Sequence, residues 1–228
     1  MTVILSTSDV HSPENLPLYL EALKNTSVEP DLILFAGDMV DRNRVFMLKP
    51  VIDATLKKHP NAKIIGVFGN EEYRGFEKLY VQMYKEVTWL NDEYIVLDNK
   101  EICIIGTRGA LDKPTMWQAR NIPGIEKYYF QLPFKIEQMA IELRKLGCRR
   151  IILLSHYGVT HRNLAGEREE SYPYLACSRF ERIIKRDLFD IVIHGHVHMG
   201  IIELITIRNV PVYNVSLPAR RKLVEIQI

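Results

Sequence analysis

Asp31-Leu32-Ile33-Leu34-Phe35-Ala36-Gly37-Asp38-Met39-Val40-Asp41-Arg42 joins a short run of large apolar side chains to a glycine, two carboxylates and a guanidinium. The apolar run is too short for a helix and ends at a glycine, so it reads as a buried strand with polar groups at its C-terminal end. The same construction recurs on both sides. Thr2 to Ser6 reads as a strand leading to Asp9-Val10-His11, and Lys63 to Phe68 as one leading to Gly69-Asn70-Glu71-Glu72. Between the first two strands, Ser12 and Pro13 read as the N-cap and first position of a helix with apolar residues at 16, 19, 20 and 23. A helical segment near 45–58, started or interrupted by Pro50, separates the second strand from the third. The first 70 residues therefore run βαβαβ, the alternation of an α/β fold.

Downstream, a helix near 75–86 precedes a hairpin of Tyr94 to Leu97 and Ile102 to Gly106, turned at Asp98-Asn99-Lys100. Residues 107–131, punctuated by Gly109, Pro114 and Pro123-Gly124, read as a long ordered loop. Pro133 to Leu146 has amphipathic helical spacing and closes at Gly147. The strand Arg150 to Leu154 leads to Ser155-His156, and after a loop over 156–177 and a helix near 178–186, the strand Ile191 to Ile193 leads to His194-Gly195-His196-Val197-His198. Three β-rich runs, 201–207, 210–215 and 223–228, complete a single domain over residues 1–228, without repeats or linkers.

Composition excludes several classes. A hydrophobic fraction of 47% and a charged fraction of 25% match soluble globular proteins rather than disordered or fibrous ones. The net charge is only +2, and clusters such as Arg149-Arg150 and Arg220-Arg221-Lys222 are short, so no dedicated nucleic-acid surface is expected. No apolar run approaches the roughly 20 residues needed to cross a bilayer, and no signal-peptide pattern opens the chain, so a cytoplasmic protein without membrane contact is expected. Cys103, Cys148 and Cys177 form no CxxC pair and are expected to be buried, reduced thiols. No feature sets an oligomeric state.

Five strand ends thus carry metal-capable side chains, in the place where ligands gather in open α/β sheets. Singly, each has a structural explanation as a turn, a cap or a satisfied histidine. Jointly, two carboxylates, an amide and several imidazoles at equivalent positions point to a metal centre. Mixed oxygen and nitrogen donors suit manganese, iron or zinc. Two such ions about 3.5 to 4 Å apart can clamp the oxygens of an in-line phosphoryl displacement.

In their order, Asp9-Val10-His11, Gly37 to Arg42, Gly69-Asn70, Ser155-His156 and Gly195 to His198 resemble the five signature blocks of the calcineurin-like metallophosphoesterases. The resemblance implies an α/β fold, a four-layer αββα sandwich of two mixed β-sheets. It implies Asp9, His11 and His198 as ligands of one metal, Asn70, His156 and His196 as ligands of the other, and Asp38 as the carboxylate between them. Two divalent ions are implied, manganese foremost, with iron, zinc, nickel or magnesium as alternatives. The implied reaction is hydrolysis of a small-molecule or nucleotide phosphoester by in-line attack of a metal-bridging hydroxide. A phosphodiester is preferred, because relatives that lack the usual histidine after Gly-Asn are often diesterases. The alternatives are a phosphomonoesterase for nucleotide, sugar or protein phosphates, and a metal-binding scaffold with little turnover.

Glu71 occupies the position of that histidine, which in most relatives acts as general acid. One reading pairs Asp41 with Glu71, one carboxyl staying protonated because two like charges resist joint ionisation. The other gives Glu71 an ion pair with Arg42 or Arg74 and no chemistry. Arg42 matches a phosphate-contacting position in the phosphoprotein phosphatase branch, and its fork suits phosphate oxygens. His161, with Arg162 and Arg168, lies in a loop expected to overhang the site and is a candidate substrate contact. Tyr157 and Trp117 are expected to pack, His59 to cap a helix, and His194 to sit buried behind the ligands.

Overall fold

Alternate side chains of a strand point to opposite faces, and most strands of this chain are apolar on both, so each sheet needs a covering layer on each side. The computed structural model, which describes residues 2–228, meets that need with two mixed sheets packed face to face and helices outside them. In the first sheet β1 (Val3–Thr7), β2 (Leu32–Ala36), β3 (Lys63–Val67) and β4 (Val87–Leu90) run parallel, and β11 (Val224–Gln227) pairs antiparallel with β1. The second sheet has the order β5-β6-β7-β8-β10-β9, formed by Glu93–Leu97, Ile102–Thr107, Arg150–Ser155, Ile191–His194, Val210–Asn214 and Leu204–Ile207 respectively.

The alternation is visible residue by residue. Ile4, Leu34, Ile65 and Val67 meet Ile104, Ile152, Leu154 and Ile193 in the layer between the sheets. Their neighbours Leu5, Ile33, Phe35 and Ile64 turn outward onto α1 (Leu16–Lys24) and α2 (Lys49–Lys58). Cys103, Ile105, Ile151, Leu153 and Val192 turn outward from the second sheet onto α5 (Ile125–Lys145). The expected four-layer αββα sandwich forms. Because the central strands of both sheets are parallel, their C-terminal ends collect the polar loops along one edge.

Several local expectations are corrected. The helix read from Pro13 begins at Leu16, because Ser12 is engaged elsewhere: its N–H donates to Met39 and its carbonyl accepts from Asp41 N–H. Residues 107–131 are not one loop, since they contain α4 (Met116–Asn121) and the start of α5. Thr115 and Gln118 form a capping box that starts α4, a signal readable in the sequence. Helix α5 passes through Pro133 and does not begin there. An interior proline costs about 3 kcal/mol, but α5 buries Ile125, Tyr129, Leu132, Ile136, Ala140 and Leu143 on the second sheet. At roughly 1.5 to 3 kcal/mol for each large apolar side chain, burial wins. The segment read as a helix near 178–186 is a 3-10 turn, Ser178–Arg182.

The cysteine expectation is also overturned. Cys103 lies on β6, and Cys148 follows α5 just before β7, which pairs beside β6 with Ile151 opposite Cys103. Strand pairing brings their Cα atoms to 6.2 Å and the two form a disulfide across 45 residues, a separation that conceals the pair in the sequence. Cys177 is free and buried, as expected.

Candidate metal centre

The chain ends of β1, β2 and β3 meet those of β7 and β8 at one edge of the sandwich. Asp9, His11 and His198 offer ligand atoms within 4.8 Å of one another, and so do Asp9, Asp38, His156 and His196. Asp9 belongs to both groups. Asp38 lies between them, with Oδ2 3.3 Å from His156 Nε2 and 3.9 Å from His11 Nε2. Asn70 Oδ1 is 3.1 Å from His156 Nε2, which completes the convergence of all seven expected residues.

Three of the donors, His156, Asp9 and Asp38, are aimed by a bond on the far side. His156 Nδ1 faces the Ala36 carbonyl at 2.9 Å, so its Nε2 points into the centre. Asp9 Oδ2 accepts from the Ser8 hydroxyl and from the His196 N–H, leaving Oδ1 to His198 at 3.0 Å. Asp38 Oδ1 accepts the Glu71 N–H at 2.7 Å, leaving Oδ2 to the histidines. His11 Nε2 and His196 Nδ1 are buried without any hydrogen-bond partner. Orphaned imidazole nitrogens beside two buried carboxylates are the donor set a divalent cation satisfies, so the residues fit a metal pair.

The electrostatics agree. Asp9 and Asp38 are buried, which by itself raises their pKa values, yet the surrounding histidines hold both below the usual carboxylate range. Burial would lower His156, but Asp38 and Asp9 outweigh it and raise its pKa to about 9. His198 is raised by Asp9 against the same burial effect. His196 is lowered to about 3 by burial and then by the charge of His156. Backbone strain gathers here as well: Asp9, His11, Asp38 and His196 all have left-handed φ, between 44° and 68°. Such conformations cost about 1–3 kcal/mol each in non-glycine residues and persist only where the surroundings impose them.

A cleft of about 580 Å³ opens beside the centre, lined in part by His11, His198, Asp41, Arg42, Glu71 and Tyr73. Neither reading of Glu71 matches its contacts. Glu71 Oε2 accepts the Arg42 backbone N–H at 2.8 Å and Oε1 accepts Asn70 Nδ2 at 3.2 Å. Asp41 instead faces the side chains of Arg42 at 3.8 Å and Arg44 at 3.7 Å. Among the described residues, no hydrogen bond joins Glu71 to Asp41. His161 does not line this cleft; it pairs with Asp112 at 3.0 Å. Tyr157 packs in the interior as expected, whereas Trp117 is 66% exposed. His59 is buried at the end of α2 with Nε2 3.1 Å from Thr26 Oγ1, and His194 is buried with Nε2 2.8 Å from Asn163 Nδ2.

Two residues without an expected role hold the loops. The buried carboxylate of Glu72 accepts the N–H groups of Gly69, Asp38, Met39 and Val40 at 2.6 to 3.2 Å. Its position beside the Gly-Asn block was the only available signal. Buried Arg108 reaches the same turn from β6, and no sequence signal marks it.

The family profile of calcineurin-like phosphoesterase matches residues 2–200. The chain belongs to the calcineurin-like phosphoesterases. Its fold is similar to that of a proposed 5′-nucleotidase from Staphylococcus aureus, with a TM-score of 0.59 and 14% identity over 93% of this chain and 48% of that one. NAD nucleotidase (NadN) from Haemophilus influenzae gives 0.54 and 16% over 94% and 44%. The calcineurin-like phosphoesterase YfkN from Bacillus subtilis gives 0.55 and 16% over 93% and 80%. This calcineurin-like phosphoesterase chain thus spans about half the length of the two nucleotidase structures, and at such identities the shared property is the fold. No curated protein matches its sequence. None of its described helices is long and apolar enough to cross a membrane.

Proposed function

We propose that this chain hydrolyses phosphate esters with two divalent cations, and that its substrate is a small phosphodiester. The observation that carries the reading is the pair of ligand groups that share Asp9 and have Asp38 between them. Asp9, His11 and His198 would hold one cation and Asn70, His156 and His196 the other, with Asp38 placed to serve both. Manganese suits this mixture of carboxylate, amide and imidazole donors. When bound, the cations supply Lewis acidity that activates water and neutralises phosphate charge.

The chain's own residues do the remaining work. Arg42, 75% exposed at the cleft, presents its guanidinium to the phosphate oxygens. Glu71 is committed to two donors, so it orients the Asn70 amide, and Asp41 is the carboxyl left to meet the leaving oxygen. Glu14, Asp41 and Glu71 all face the cleft. With Asp41 carrying the proton for the leaving oxygen, the carboxylates of Glu14 and Glu71 still repel a dianionic monoester more than a monoanionic diester, which supports the diester. A cleft of about 580 Å³ suits a small molecule.

The test is to strip the protein with chelator, reconstitute it with manganese, and compare turnover of bis-p-nitrophenyl phosphate and p-nitrophenyl phosphate. Two bound equivalents and faster diester cleavage are expected, with both lost in Asp38→Asn. Faster monoester cleavage would reverse the substrate assignment. Absence of metal uptake, or of turnover on either ester, would overturn the hydrolase reading.

A further inference from the structure

Arg108 is only 2% exposed, and it spans the two sheets. It follows β6 in the six-stranded sheet, yet its side chain ends on the turn after β3 in the five-stranded one. Nη1 donates to the carbonyls of Gly69 and Glu72, and Nη2 donates to Glu77 Oε1 at 3.2 Å. Those two carbonyls bracket Asn70 and Glu71. From the opposite side the same turn is held by the Glu72 carboxylate on the amides of the Asp38 loop, and by Glu71 N–H on Asp38 Oδ1.

The consequence falls on one half of the metal centre. Asn70 comes from the first sheet and His156 from the second, so their 3.1 Å separation depends on how the turn is held against β6 and β7. The other half has its own tie between the sheets, because Asp9 accepts from His196 N–H and faces His198 directly. None of the bonds made by Arg108 reaches that group.

We propose that Arg108 is a positioning residue that sets the affinity of the cation site around Asn70 and His156 far more than that of the site around Asp9, His11 and His198, which the turn reaches only through the shared Asp38. The proposal rests on the two-cation reading above. A guanidinium is suited to the task because its rigid fork engages both carbonyls and Glu77 at once, which a lysine carrying the same charge cannot do. Groups that orient a metal ligand from behind typically change metal affinity about 10- to 100-fold when removed.

Calorimetric titration of chelator-stripped protein with manganese separates the possibilities. Wild-type protein should show two binding events. Arg108→Lys and Arg108→Gln should each weaken one event by about 10- to 100-fold and the other by clearly less, with turnover restored by excess manganese. Glu77→Gln, which keeps the fork and loosens one of its partners, should shift the same event by less, and it decides the matter if the Arg108 variants fail to fold. Equal weakening of both events would overturn the proposal. So would wild-type behaviour of Arg108→Lys beside a defective Arg108→Gln, since charge would then be what matters. Unchanged binding in Glu77→Gln and Arg108→Lys, with two events in the wild type, defeats the role of Arg108 alone. Fewer than two events in the wild type defeats the two-cation reading and this inference with it.

Discussion

Replacing Cys103 and Cys148 together by alanine removes a cross-link that closes a loop of 45 residues over α4 and α5. Closing such a loop in the unfolded chain removes about 13 cal/mol/K of entropy, or roughly 4 kcal/mol at 25 °C. A chain of 228 residues unfolds with an entropy of about 480 cal/mol/K near 60 °C, so the same energy corresponds to a fall of about 8 °C in Tm. Alanine is the suitable replacement because both positions lie in the apolar layer under α5, where a serine hydroxyl would be left unpaired. Calorimetric melting of wild type and double variant measures the shift, and manganese binding should be unaffected because neither cysteine is among the candidate metal ligands. A thiol titration in denaturant without reductant supplies the independent check: one reactive thiol, Cys177, is expected. Three thiols, together with a double variant that melts like the wild type, would refute the bridge. Disulfides are uncommon in reducing compartments, so the same count tests the expectation of a cytoplasmic protein.

Without metal, stability should depend on pH in two opposed ways. His156, raised to about 9, contributes fully below its unfolded value of 6.5 and loses that contribution as pH rises through about 9. His194 and His196, lowered to about 4 and about 3, contribute above 6.5 and lose it as pH falls through those values. Urea unfolding of chelated protein should therefore show greatest stability near pH 6.5, and a steady rise from pH 5 to 9 would contradict the assignment. Glu71→Gln should lower diester turnover about fivefold, because an amide cannot accept from both Arg42 N–H and Asn70 Nδ2, and one hydrogen bond at this part-buried site is worth about 1 kcal/mol. Unchanged turnover would deny Glu71 any part in holding Asn70.

Much of the fold and most of the centre were legible because both depend on local patterns. A buried parallel strand announces itself as a short apolar run, and the polar residues after β1, β2, β3, β7 and β8 follow directly from where those runs stop. What was not legible depends on partners distant in sequence. The two cysteines meet only because β6 and β7 pair, and α5 continues through Pro133 only because a sheet waits beneath its apolar face. Strand β4 lies in a stretch with weak signals and forms by pairing with β3. Arg108 gives no sign of its role, since its contacts are backbone carbonyls more than 30 residues away. Glu71 was placed at the cleft by its neighbours, but the two donors it accepts from were not deducible from their spacing.

The glycines that precede the ligands show how the two levels meet. A Cβ on Gly37 would lie 2.7 Å from Nδ1 of His156, and one on Gly69 would run into the Asp38 carboxylate. Each glycine thus makes room for a ligand that belongs to another loop. Glycine before an aspartate reads locally as a turn, and Gly37 does take a left-handed φ of 84°, but the space its missing side chain leaves for His156 is a second requirement that the local reading does not reveal. Left-handed backbone also falls on Asp9, His11, Asp38 and His196, which carry ligand atoms and for which glycine is no substitute, although residues without a ligand atom, such as Arg42, Asn43 and Arg221, adopt it too. Small residues therefore sit where backbones must approach, and at four positions of the centre the strain is borne by residues whose donors must point inward. That division is expected if convergence on a cation pair, rather than the stability of individual turns, determines the sequence of these loops.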